Sequence, residues 1–301
     1  MNRDTEAAPL KTPAWVSEGR VRPRAILLGA ETDKRVCQQI DTLRPVLAKH
    51  LDILWEDFSL QRSFQDVEAD LVIVLGGDGA ILRAARQMQM DQLPVLGVNL
   101  GRLGFLAAIS PVELNDALKL LINGECEVVE HLMFQCTVER DGQPRLTQLG
   151  LNEVAVLGGA PFSLLDVDLY VDSEWATTYS CDGLIISTPV GSTAHNLSAG
   201  GPILRQDMQA FVIVPISPHT LTVRPVVDTA ERIYEMAVHE PREGTSVVVD
   251  GVVLGALTAA DRIRVQRAEP CFKTIKVAGH DDYATLREKL GWGGIIRGRK
   301  N

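Results

Sequence analysis

Two stretches of this sequence hold residue types that handle phosphate and protons. The first is Gly76-Gly77-Asp78-Gly79, placed after the aliphatic run Leu71–Leu75 and before a helical pattern over Ala80–Met90. Glycines between a strand and a helix let the backbone approach a ligand and adopt positive φ. The free N–H groups and partial positive charge of the helix start suit phosphate. Asp78 has two readings there: a helix N-cap, or a carboxylate beside bound phosphates that takes a proton from an attacking hydroxyl. The second stretch is the run from Asp182 to Pro202, DGLIISTPVGSTAHNLSAGGP, in which a strand enters a loop rich in Ser, Thr and Gly. Its five hydroxyls (Ser187, Thr188, Ser192, Thr193 and Ser198) and its glycine-freed backbone N–H groups are what a polar nucleotide needs. Asn152-Glu153 at a strand start and the rigid corner Pro215-Ile216-Ser217-Pro218-His219 are further candidates, although a lone Asn-Glu is ordinarily a turn and His219 more often a structural hydrogen-bonder.

The elements that position these residues fall into two patterns. From Ala25 to Ile122 strand and helix signals alternate: strands over Ala25–Leu28, Asp52–Trp55, Leu71–Leu75 and Pro94–Asn99, and helices over Lys34–Lys49 (interrupted or kinked at Pro45), Ala80–Met90 and Val112–Ile122. Runs apolar on both faces fit buried parallel strands, so this part reads as an α/β layer. Strand-like segments then recur about every ten residues: Phe134–Glu139, Asn152–Val156, Leu164–Val171, Gly183–Thr188, Phe211–Val214, Ser246–Val249, Arg262–Arg267 and Phe272–Val277. The division is a loose tail over 1–20, an α/β domain over 21–122, a β-rich domain over 123–280, and a helix (Tyr283–Leu290) with a Gly- and Arg-rich tail over 281–301.

Composition narrows the function. With 46% hydrophobic and 23% charged residues the chain is ordinary globular protein rather than disordered. No apolar run reaches the roughly 18 residues of a membrane span, and the N-terminus has no secretory h-region. Thirty basic residues face 39 acidic ones, a net charge of −9, which argues against nucleic-acid or anionic-membrane partners. Cys37, Cys126, Cys136, Cys181 and Cys271 are odd in number and lack a C-x-x-C, so no disulfide or zinc framework is indicated and a reducing cytoplasm is the simplest location.

GGDG, LNEV (151–154), DGLIISTPVGSTAHNLSAGGPI (182–203), PISPHTLTVRPVV (215–227) and LREKLGWGG (286–294), in this order and with GVNLGRLGFLA at 97–107, resemble the NAD kinase family. The resemblance covers about 24–294. GGDG alone is shared with 6-phosphofructokinases and diacylglycerol-type lipid kinases; the GSTA…SAGGP block is far more specific.

The resemblance implies an α/β N-terminal domain with a parallel sheet and the GGDG loop, an all-β C-terminal domain, an active site between them, and a homodimer or homotetramer assembled through the β domains. It implies transfer of the γ-phosphoryl of ATP to the 2′-hydroxyl of the adenosine ribose of NAD. Asp78 would be the base, and Gly76, Gly77 and Gly79 would bind phosphate. Mg²⁺, or another divalent cation, would be carried with ATP, with no metal-ligand set in the chain. Contacts to NAD would come from Gly79, Arg83, Asn152, Glu153, Ser180, Asp182, Val190, Thr193, Ala194, His195, Asn196 and Ser198. Of these, Asn152 and Glu153 would meet adenine and ribose, and Asp182 the nicotinamide end, including that of a second subunit's ligand. Three departures stand out: His195 replaces the usual Tyr, Val252 follows Asp250-Gly251 where a polar residue is common, and Ser180 stands where members that also accept NADH tend to have Arg. Two alternatives of other classes are a lipid kinase of the GGDG superfamily, disfavoured by the net charge and the polar GSTA loop, and a non-catalytic nucleotide sensor, disfavoured by the presence of Asp78.

Overall fold

The computed structural model describes residues 15, 22–101, 104–107, 109–159, 164–277 and 282–291. Two compact units emerge, one over 1–88, 93–129 and 273–301 and the other over 89–92 and 130–272.

The first unit is built on a sheet. Its early strands are β1 (Arg24–Leu28), β2 (Asp52–Asp57), β3 (Leu71–Leu75) and β4 (Pro94–Val98), and Cys126–His131 is β5. β2, β1, β3 and β4 lie side by side and are parallel. The fifth member of this sheet is Phe272–Val277, between β4 and β5 and parallel to β4. Sequence reading had put that strand in the β-rich part. An apolar alternating run has no mark of which sheet it joins, and here the long-range partner decides.

Helix α1 (Lys34–His50) is capped by Asp33, whose carboxylate accepts from the Arg35 N–H at 3.0 Å, and it runs unbroken through Pro45. Pro45 lies on the exposed face, where water can serve the carbonyl it leaves without a donor. Helix α2 spans Asp78–Met88 and helix α3 Leu114–Ile122. Val36, Leu43 and Leu47 of α1 and Leu114, Leu118 and Leu121 of α3 share one core with Leu27, Leu71, Ile73, Leu75, Leu96 and Val98 of the sheet. Trp15, in the segment read as a loose tail, is buried in the same core because its large apolar ring gains more there than in water. Ile26, Val72 and Val74 point to the other face and are equally buried, which is why these strands are apolar throughout.

The second unit is a sandwich of two antiparallel sheets. Its strands in chain order are β6 (Phe134–Arg140), β7 (Gln143–Gly150), β8 (Glu153–Leu157), β9 (Leu165–Val171), β10 (Glu174–Cys181), β11 (Gly183–Ser187), β12 (Ala210–Ile216), β13 (Val226–Thr229), β14 (Tyr234–Val238), β15 (Ser246–Val249), β16 (Val252–Ala256) and β17 (Asp261–Arg267); Phe272–Val277 is β18. One sheet runs β10-β9-β14-β17-β6-β7 and the other β13-β12-β11-β8-β15-β16. Five of these strands, β7, β10, β13, β14 and β16, were not expected. Alternate residues of both sheets, among them Phe134, Val167, Leu184, Phe211 and Tyr234, form the shared core. Ala155, Ile185, Val212 and Val214 face away from it and pack with Ala199 and Leu204 of the loop after β11. No helix among the described residues is long and apolar enough to cross a membrane.

Candidate functional site

In the first unit, β3 delivers the chain to Gly76, whose φ of +141° and whose missing Cβ, which would meet Ala80 Cβ at 2.7 Å, both require glycine. The Gly76 N–H donates to Val98 O of β4 at 2.9 Å, and α2 begins at once: the Ala80 N–H reaches Gly77 O at 2.8 Å. Side chains added at Gly77 or Gly79 would meet nothing within 4 Å, so the backbone at this helix start is open.

Asp78 is the first residue of α2, but its carboxylate does not cap its own helix. It reaches across to the loop after β4. Oδ2 accepts from the Phe105 N–H at 2.8 Å, and Oδ1 accepts from Leu106 at 3.0 Å and Ala107 at 3.1 Å. A Cβ at Gly104 would stand 2.1 Å from Asp78 Oδ1, which explains the second glycine of the LGRLGF segment. A carboxylate offers about four lone-pair directions. Three are taken, and the one left is on Oδ2, with the side chain about a third exposed. Arg83 lies on the exposed face of α2, and its charge acts on Asp33. The same Asp33 carboxylate is held below its ordinary value chiefly by its hydrogen bond from the Arg35 guanidinium.

In the second unit, Asn152-Glu153 starts β8 and is strapped from two sides. Asp250 accepts from the N–H groups of Leu151 (2.8 Å), Asn152 (2.8 Å) and Glu153 (3.2 Å). From the other side the Thr188 N–H donates to Asn152 O at 2.8 Å, and the Thr188 hydroxyl donates to Leu151 O at 2.5 Å. Asp250 (φ +47°) and Gly251 (φ +75°) form the turn between β15 and β16. Sequence reading noticed this Asp-Gly only for the valine behind it. Its place between two valine runs is a hairpin signal that could have found the carboxylate.

Glu153 is buried, and its Oε2 has no hydrogen-bond partner among the described residues. Burial pushes its carboxyl up to about 7, the Asp250 carboxylate adds to the rise, and the backbone N–H of His195 pulls against it. The half-buried Asn152 amide makes no hydrogen bond among the described residues. A buried carboxylate oxygen held this firmly and left unsatisfied is a place where a ligand's donor can bind.

The loop after β11 forms a 3₁₀ turn (Gly191–Thr193) and the one-turn helix His195–Ser198. A Cβ at Gly191 would lie 2.2 Å from Asn152 O, so the turn presses directly on the Asn-Glu pair. The hydroxyl-rich character of this loop has a different cause from the one the sequence suggested. Ser187, Thr188 and Ser192 are fully buried and spend their hydroxyls on backbone: Ser187 on Thr188 O (3.0 Å), and Ser192 on Pro189 O (2.6 Å) while accepting from Leu204 N (3.1 Å). Asn196 is also fully buried, and its amide donates to Ser192 O and Pro202 O. Val190 is buried, Thr193, Ala194 and His195 are half-buried, and Ser198 is exposed.

Ser180 and Asp182 are placed elsewhere. Asp182 is the exposed residue where the chain leaves β10 of one sheet for β11 of the other, and Ser180 donates to Asp166 on β9. The His219 N–H donates to Ser180 O at 2.9 Å, so the PISPH corner braces this end. β11 pairs Ser187 with Glu153 and Gly183 with Leu157. Asp182 therefore lies six residues along the strand from Thr188, about 20 Å at strand rise. The unit brings together Asn152, Glu153 and the turn over 190–198, and leaves Ser180 and Asp182 at the far end.

Two family models match this chain: the ATP-NAD kinase N-terminal domain over residues 34–126 and the ATP-NAD kinase C-terminal domain over 151–277. The chain belongs to the ATP-NAD kinase family. A protein named NAD kinase from Rhodopirellula baltica is 54% identical over 282 residues, covering 94% of this chain and 90% of its own length. Another from Geotalea daltonii is 39% identical over 251 residues, covering 83% and 87%. Among solved structures, an NAD kinase from Archaeoglobus fulgidus in complex with ATP matches with a TM-score of 0.66 at 28% identity, over 89% of this chain and 97% of that one. Yeast NADH kinase complexed with NADH shares the fold, with a TM-score of 0.77 at 22% identity over 93% and 90%. Membership in the ATP-NAD kinase family sets aside the lipid-kinase alternative.

Proposed function

We propose that this ATP-NAD kinase family member transfers the γ-phosphoryl of ATP to the 2′-hydroxyl of the adenosine ribose of NAD, giving NADP and ADP. The observation that carries the reading is the Asp78 carboxylate, fixed by three backbone N–H groups beside an open glycine turn with one Oδ2 lone pair left. That lone pair orients the ribose hydroxyl and takes its proton as the phosphoryl moves. The open N–H groups at Gly77 and Gly79 and the α2 dipole meet the phosphates, and Arg83 adds positive charge near them.

Asn152 and Glu153 read the adenosine end of NAD: the unsatisfied Glu153 Oε2 and the half-buried Asn152 amide supply directional contacts. Thr193, Ala194, His195 and Ser198 border the nucleotide, while Val190 and Asn196 hold the turn that presents them. Ser180 and Asp182, at the other end of the unit from that pair, act on the ligand of a partner subunit in a homodimer or homotetramer. Ser180, short and neutral, favours NAD over NADH. A divalent cation such as Mg²⁺ neutralises phosphate charge when bound. Such a cation would be held by the phosphates of ATP. Five free cysteines fit a reducing cytoplasm.

The test is the purified chain with ATP, Mg²⁺ and either NAD or NADH, following the phosphorylated dinucleotide and ADP. Equimolar NADP and ADP, with a higher kcat/KM for NAD than for NADH, is the expected result. Binding of both nucleotides without turnover would favour the sensor reading instead.

A further inference from the structure

The terminal motif LREKLGWGG has no part in the reading above, yet one of its residues reaches the Asp78 carboxylate. Helix α4 (Asp282–Leu290) belongs to the first unit, and its Lys289 sets its ammonium 3.8 Å from Asp78 Oδ2 and 4.1 Å from the centroid of the Phe105 ring. At 3.8 Å the carboxylate contact is an ion pair and not a hydrogen bond. The ring face attracts the cation through its quadrupole and offers no lone pair to its N–H groups. Phe105 is itself fixed, since its N–H donates to the same Oδ2. Among the described residues, neither of these two contacts takes one of the three Lys289 N–H donors in a hydrogen bond. A lysine serving only to tether the helix would close a direct hydrogen-bonded bridge. This one is aimed beside the carboxylate oxygen that keeps a lone pair.

We propose that Lys289 is a catalytic residue of the phosphoryl transfer, donating to the γ-phosphoryl oxygens of ATP; this rests on Asp78 being the base. The distances support it. A base lies about 2.6–3.2 Å from the hydroxyl oxygen it serves, and that oxygen about 3–3.5 Å from the phosphorus it attacks. The phosphoryl oxygens therefore come within reach of an ammonium 3.8 Å from the same Oδ2 on a flexible four-carbon stem. In the step, the 2′-oxygen bonds to the γ-phosphorus as the bond from that phosphorus to the β,γ-bridging oxygen breaks. The bond's electron pair leaves with ADP, and the hydroxyl proton passes to Asp78. The ammonium offsets the charge on the transferring group and exchanges no proton.

Lys289→Ala and Lys289→Met test this, each checked by thermal melting. Met keeps an unbranched stem against Phe105, so it preserves packing where Ala loses it. The expected result is a kcat lowered by about 10²-fold, the scale for losing one preorganised donor to transition-state charge, with KM for NAD little changed. Added ethylammonium should restore kcat of Lys289→Ala saturably, and sodium chloride at equal ionic strength should not. Unchanged kcat in folded Lys289→Met would overturn the proposal, as would a folded Lys289→Ala that gains nothing from ethylammonium. Asp78→Asn, measured alongside, separates the two readings: near-normal turnover there removes the base, whereas near-normal turnover in Lys289→Met removes only the lysine.

Discussion

Asp78 and Glu153 are both carboxylates at the end of a buried strand, and their surroundings are opposite. Asp78 is supplied with three backbone N–H donors and, as an ion pair, an ammonium 3.8 Å away. Glu153 is starved of them: it is buried, one oxygen has no partner among the described residues, and the Asp250 charge repels it. The first group is complete before any ligand arrives, so its geometry does not depend on substrate. The second is left incomplete at a cost to the folded state, and a ligand that brings a donor removes that cost. On the proposed function, the contrast separates a group that handles a proton in the reaction from one that selects what enters.

The strongest way to break this contrast is Asp78→Asn. The amide keeps the shape of the side chain but cannot take the proton, and kcat should fall by roughly 10²–10⁴-fold while NAD still binds. Turnover with NAD at increasing concentration, beside direct NAD titration, measures both. If Glu153→Gln abolished turnover with NAD bound normally and Asp78→Asn did not, the two roles would be exchanged.

Glu153→Gln sharpens the comparison in two ways. A lost hydrogen bond to a charged group costs about 1.5–3 kcal/mol, so NAD use should weaken by roughly 10–100-fold and ATP affinity should stay. Calorimetric titration of each nucleotide checks this, and equal losses for both would refute the assignment. The second effect is on stability. With the folded carboxyl pushed up to about 7 from an ordinary 4.5, the contribution of Glu153 is fully present below the lower value and is lost as pH rises through the upper one. The loss has an upper scale of about 3 kcal/mol. Denaturant melts without ligand should therefore show the wild type falling relative to Glu153→Gln between these pH values. With saturating NAD the difference should shrink.

The smallest catalytic effect belongs to Ser192→Ala. Its hydroxyl bonds only to backbone, so stability should drop by about 1–3 kcal/mol with kcat at saturating substrate preserved. A large loss of kcat in a folded Ser192→Ala would return that hydroxyl to the substrate.

These cases also show how far the sequence could be read. The β3 run, the glycine turn and the start of α2 were readable because each is a local property: apolar continuity, positive φ, a free helix end. Asn152 and Glu153 were found by motif, but the strap that holds them comes from Asp250, nearly a hundred positions on, and only pairing of β15 with β8 brings it there. The hydroxyls of the GSTA loop misled for a related reason: composition records that Ser187, Thr188 and Ser192 can donate, not whether backbone carbonyls already take the donation. Ser180 and Asp182 stand close to Ser187 in the chain, yet extended strand geometry carries them away. The sheet that receives Phe272–Val277 was beyond local reading altogether, as was the burial of Trp15.

That late strand bears on how the protein is born. A ribosome releases the β sandwich as one continuous stretch, 130–272, and every partner in its two sheets is then available. The α/β sheet has no such option: β1 to β5 emerge before the sandwich, but the place between β4 and β5 stays vacant until β18 is synthesised after it. The earliest-made part must wait with unpaired strand edges while the part made after it folds, a state open to intermolecular pairing. Chains stopped shortly before Phe272 should consequently yield a folded second unit attached to an aggregation-prone first one.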